Sequence, residues 1–179
     1  NVRALSTAAV AALTSDEVVA LSTGQAAALT TAQLAALQSA NVAALETADL
    51  VALGTAGIRA FNTAQINALT TDQMVALSTA QVAALATNQV AALSTDNLNA
   101  LGTAQFAALT TAQVGVLTTA QVANLETADL AAFGTAAVRA ISTAGIVALS
   151  SDHIVALSTA QAAALTTAQL AAMQSADLA

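Results

Sequence analysis

Leucine recurs every eight residues along the chain, from Leu5 through Leu13, Leu21 and Leu29, with Met173 closing the series. This spacing divides the sequence into 22 octads, the last one residue short, with the consensus L-S/T-T-A-Q-V-A-A. Position one departs from Leu only at Phe61, Phe133, Ile141 and Met173. Position six is always apolar, as Val10, Leu34, Ile58, Met74, Phe106 and Ala162 illustrate, and position eight is Ala except at Val116 and Asn124. All three positions are assigned to the interior, with the Ala at a close helix contact where a larger side chain would clash.

The polar positions divide differently. Position seven accepts Arg3, Arg59, Arg139, Asn67, Asn99, Gly115 and Val51, and position two accepts Glu46, Glu126, Gln38, Gly54 and Ala86. Position five is Gln or a replacement such as Asp49, Asp129, Glu17 or His153. Positions two, five and seven are therefore expected to meet water. Position three carries Thr or Ser in all 22 octads, and a hydroxyl kept that strictly suggests a helix N-cap, worth about 1 kcal/mol. Asp16, Asp72, Asp96, Asp152 and Asp177 then fall in the first turn, where the helix dipole favours them. A rival register places the cap at position two, which makes Ser22 and Gln25 a capping box. In both registers each octad starts its own short helix.

One continuous helix does not fit. At about 100° per residue, an eight-residue stripe drifts by about 80° per octad, far more than supercoiling absorbs. Strands fit no better, because Ala and Gln are poor strand residues and the pattern lacks a period of two. The expected fold is an all-α solenoid of very short helices, one per octad, with tight corners around positions one to three. Gly54, Gly102, Gly134 and Asn62, all at position two, suit corners of positive φ. Residues 1–179 read as a single array, cut from a longer one, and the number of octads per turn stays open. Duplication has worked in whole octads: Val2 to Ala43 resembles Val138 to Ala179, and Leu45 to Leu50 recurs as Leu125 to Leu130.

Composition narrows the chemistry. Apolar residues make up 57% of the chain and aromatics 2%, so the core consists of small groups and single aliphatic side chains, which leave little room for pockets. A net charge of −7, with Arg3, Arg59 and Arg139 the only basic side chains, argues against nucleic acid. Every octad interrupts its apolar residues with Ser or Thr, so no spanning segment of about 20 apolar residues exists. Without cysteine there is no disulfide framework, which leaves the redox compartment open.

The search for a reactive site returns little. His153, the single histidine, stands beside Asp152, but two adjacent residues cannot supply the three or four ligands of a zinc site. Glu17 occupies the equivalent place in the related segment, so His153 is expected to be an exposed substitution. Glu46 with Asp49, and Glu126 with Asp129, are carboxylates three residues apart; solvated first-turn acids explain them better than a sugar cleft does. No catalytic, cofactor or metal residue is assigned, and an enzyme is not expected.

Strings such as Leu157-Ser158-Thr159-Ala160-Gln161 and ALTTAQLAAL resemble the Ala/Thr/Gln-rich octapeptide arrays of large bacterial secreted or surface proteins, including adhesin-like exoproteins. The resemblance implies an extracellular or cell-surface location and a stalk, spacer or adhesive role. Self-association through uncapped solenoid ends is expected. The competing reading is a binding module that recognises a protein, a glycan or an ice surface through its variable or Thr-rich solvent face.

Overall fold

The computed structural model describes residues 2–176, with side chains as far as Met173. Asp177, read above as a first-turn acid, lies outside the described residues. A 3-10 turn at Val2–Ala4 leads into 21 α-helices, and no strand occurs among the described residues. Every helix before the last is four to seven residues long, and the last, Thr167–Ala176, has ten. All but Gly54–Ala60 begin at position three of an octad.

Local chemistry explains these boundaries. Position two is the N-cap and is extended, as at Thr30 (φ −77°, ψ 159°), and its hydroxyl accepts the N–H of position five. The position-one residue before it is extended as well, as at Leu37 (φ −59°, ψ 141°). Two successive extended residues stop one helix and turn the chain into the next. The position-two register is therefore the correct one. Position three is the first helical residue, and it does not cap.

The chain forms two compact units, Asn1–Leu93 and Ser94–Ala179. Within each, a helix packs on the helix three octads further on. In the first unit Thr7–Ala11, Thr31–Ala36, Gly54–Ala60 and Thr79–Ala84 stack in one column. Thr23–Ala26, Thr47–Ala52 and Thr71–Ala76 form a second, and Ser15–Val19, Ser39–Ala43, Thr63–Asn67 and Thr87–Ala92 a third. The second unit repeats the scheme; Thr103–Ala108, Thr127–Ala132 and Ser151–Ala156 make up one of its columns. One coil is thus three octads with three sides, the number that the sequence left open.

Position six is the centre of each coil: Val10, Val18, Val42, Leu50, Ile58 and Ile66 in the first unit, and Phe106, Val114, Val122 and Leu130 in the second, have no exposed surface. Each such burial stabilises the fold by about 1.5–3 kcal/mol, which holds helices too short to persist alone. Position one lines the corners beside them, with Leu37, Leu45, Phe61 and Leu69 buried. Position eight is not core. Ala36, Ala52, Ala60 and Ala84 are half-buried and Ala12 and Ala20 are exposed, because this position closes the helix on the flank of the corner.

Positive φ is likewise not a general feature of the corners. Gly102, Gly134 and Asn62 are extended N-caps, a conformation open to any residue, and only Gly54 has positive φ, at 66°. Its octad also has Gly57 at position five, and Leu53 there is helical (φ −60°, ψ −22°) instead of extended. A Cβ on Gly57 would lie 2.6 Å from the Leu53 Cβ and 3.2 Å from the Leu34 side chain. Gly57→Ala is accordingly expected to cost about 1–3 kcal/mol, measured by chemical denaturation; an unchanged midpoint would show that this corner can revert to the extended form without cost.

Candidate functional site

The most organised polar feature is buried. Position five, expected at the surface, is interior: Gln33, Gln65, Gln73, Gln81 and Gln89 are each at most 3% exposed. The side chain leaves the third helical residue and turns inward along the corner. Its carbonyl oxygen accepts the position-two N–H, as Gln65 Oε1 does from Asn62 at 2.8 Å, which completes a capping box. Its amide nitrogen then crosses to the preceding coil. Gln65 Nε2 donates to Leu34 O at 2.9 Å and Leu37 O at 2.7 Å. Gln73 Nε2 donates to Val42 O at 3.0 Å, Ala43 O at 3.3 Å and Leu45 O at 2.7 Å.

One neutral amide therefore satisfies an N–H at the start of its own helix and, at the end of another, the position-one carbonyl that no backbone N–H reaches, while adding a second donor to the position-six carbonyl. The same contacts recur in the second unit, where Gln161 donates to Leu130 O at 3.1 Å and Phe133 O at 2.7 Å. The signal that could have found it is the predominance at position five of Gln, which carries both a donor and an acceptor.

The substitutions at position five follow the same logic. Asn41 donates to Leu13 O at 2.6 Å. Glu17, which can only accept, lies in the first coil and takes the Thr14 N–H at 2.9 Å. His153 is 6% exposed, and so is not the surface substitution expected. Its Nδ1 lies 3.1 Å from the Ser150 N–H donor and its Nε2 lies 2.7 Å from Leu125 O, so the Nε2–H tautomer reproduces both ends of a Gln amide. Ser150 Oγ is 2.8 Å from Nδ1, but the ring's other nitrogen is tied to a backbone carbonyl and the pair serves as a cap.

The two acid pairs also depart from expectation. Glu46 and Glu126 are exposed, whereas Asp49 has no exposed surface and Asp129 has 4%. Neither Asp49 oxygen has a hydrogen-bond partner. Burial and the neighbouring Glu126 carboxylate push the Asp129 pKa up to about 6. Among the described residues no three His, Cys, Asp or Glu side chains converge on a metal position. No helix is long and apolar enough to cross a membrane.

The solvent face is the second candidate. Position-three hydroxyls are exposed nearly throughout, and Ser15 Oγ is the one among the described residues that bonds to protein, at 3.1 Å to Asn41 Oδ1. In one column of the first unit the exposed residues include Thr7, Ala8 and Ala9, then Thr31, Ala32 and Ala35, then Thr79 and Ala80. Arg59 interrupts this face, and Arg139 lies in the second unit, on the helix Thr135–Ala140. A cavity of about 350 Å³ in the second unit is lined by aliphatic side chains such as Ile146, Leu149, Ile154 and Met173 together with Ser151, and no titratable side chain lines it.

A search of curated proteins and a search of solved structures each return no match. A family model does match, at residues 1–31, 42–79, 74–103, 95–127 and 122–159, which together span most of the octads. With its cap at position two and its amide at position five, the recurring ALTTAQ string is the structural step of this fold, and the chain belongs to the ALTTAQ repeat family.

Proposed function

We propose that the array is a non-catalytic structural spacer in a bacterial extracellular or cell-surface protein, a stalk or adhesin-like segment whose length is set by its number of octads. The observation that carries this reading is the position-five amide, which bonds to the backbone of the preceding coil and so makes one octad equivalent to another. Exposed apolar side chains at the described ends, such as Leu5 at 40% and Leu170 at 46%, would also let copies associate end to end.

Removing residues 63–86, three octads from inside the first unit, is expected to leave a cooperatively folded protein. Small-angle scattering should show it shorter by about one helix-packing distance, roughly 8–10 Å. Removing only residues 63–66 breaks the octad and should abolish cooperative unfolding. If both deletions fold equally well, the octad is not the structural step. Sedimentation that does not change with concentration would remove end-to-end association.

A second reading has one observation in its favour. Among the described residues the position-three hydroxyls neither cap nor bond to protein, Ser15 aside, so their retention in all 22 octads calls for another explanation. A repeating face of Thr and Ala, broken by Arg59, suits an ordered surface such as ice, or a repetitive glycan. Thermal hysteresis by the purified protein, lost on replacing Thr7, Thr31 and Thr79 with Lys, would establish the ice form; no hysteresis at high concentration would eliminate it.

A further inference from the structure

Two octads share the string Leu-Glu-Thr-Ala-Asp-Leu, at Leu45–Leu50 and Leu125–Leu130, and in both an Asp holds the position that staples one coil to the one before. Gln73 donates to the carbonyls of residues 42, 43 and 45. One coil earlier, the same register sets Asp49 opposite the carbonyls of residues 18, 19 and 21; for Asp129 the equivalents are residues 98, 99 and 101. An ionised carboxylate offers no hydrogen to these acceptors. Asp49 is fully buried and neither of its oxygens is paired. A protonated carboxyl has one O–H to donate, and so can serve one carbonyl.

We propose that the Glu126–Asp129 octad is a proton-operated staple, which holds the preceding coil when Asp129 is protonated and loses that hold when it ionises. The proposal goes beyond the spacer reading: the second unit has a corner whose firmness depends on acidity. The Asp129 carboxyl, already pushed up to about 6, lies in the required range. The direction follows from linkage. Between about pH 4 and about pH 6 the folded chain binds a proton at Asp129 that the unfolded chain has released, so stability falls as pH rises through this window and stays lower above it.

Other charged groups around Asp129 are few. Thr103–Ala108 brings none, Thr95–Asn99, which supplies the facing carbonyls, brings Asp96, and Ser151–Ala156 brings Asp152 and His153, with Glu126 in its own octad. Since Ser151–Ala156 packs on the helix of Asp129, His153 is replaced by Gln, the consensus residue, to leave Asp129 as the group under test.

The test compares His153→Gln with His153→Gln/Asp129→Gln by thermal unfolding of the full chain at about pH 5 and about pH 8. At the higher pH the Asp129→Gln protein is expected to melt about 3–6 °C above its parent, and at the lower pH the gap should close. A gap of equal size at both pH values would overturn the proposal, since water would then be satisfying an ionised Asp129. Closure of the gap by calcium chloride at the higher pH, with no effect of acid, would overturn it too, in favour of a cation. Should a variant fail to fold, carbon NMR of the unaltered chain decides the matter: an Asp129 carboxyl that titrates near about 6 supports the staple, and one that titrates with exposed carboxylates refutes it.

Discussion

Gln73→Ala is expected to destabilise the first unit by about 3–5 kcal/mol, whereas Gln25→Ala should cost no more than about 1 kcal/mol. The two residues occupy the same octad position and complete the same capping box, Gln73 with Thr70 and Gln25 with Ser22. They differ in what lies beyond the amide. Gln73 is 2% exposed and donates to three carbonyls of the preceding coil, while Gln25 is exposed in the first coil. Truncating Gln73 strands the Thr70 N–H and the Leu45 carbonyl away from water, and each buried unpaired group costs about 1–3 kcal/mol. Urea unfolding of the two variants separates capping from stapling. Equal losses would mean that the contacts between coils contribute nothing beyond the cap.

Phe106→Ala should cost about 3–5 kcal/mol in the second unit. Phe106 has no exposed surface, and its ring meets Phe133 edge to face with centroids 5.7 Å apart at 66°. It stands at position six, where most octads have Val or Leu, so this coil was built around a larger side chain and is left with a cavity on truncation. Phe106→Leu should cost far less, because it keeps most of the volume. Because a stack of repeats unfolds through nearest-neighbour terms, the loss is expected to broaden the transition as well as shift it. A drop below about 1 kcal/mol would indicate that neighbouring coils collapse onto the vacated space.

How much of this was legible in the sequence depended on what each residue had to say about direction. Leu34 and Val82 disclosed the core, because apolar identity at one position of every octad has no other economical cause. Ser22 and Gln25 disclosed the cap, but only in one of two registers, since hydroxyls fill positions two and three alike and the distinction rests on which residue is extended. Gln65 misled, because a polar side chain three residues into a helix reads as solvated until the carbonyls of Leu34 and Leu37 are found beneath it. Asp49 and His153 were misplaced for the same reason. The three-sided coil was not legible at all. It follows from the angle that residues such as Leu37 and Gln38 give to successive helices, and no periodicity of side chains encodes that angle.

The staple that reaches for backbone rather than side chains also bears on how such arrays change in length over generations. Every residue of the preceding coil offers the same carbonyl, so a newly inserted octad meets an acceptable partner whatever its neighbours are. A contact between matched side chains would instead require paired changes on both coils. The two internal duplications are offset by 136 and 80 residues, multiples of eight but not of twenty-four. The unit that recombination copies is therefore smaller than the unit that closes a coil, and slippage between misaligned gene copies can add or remove a third of a turn at a time without leaving a seam.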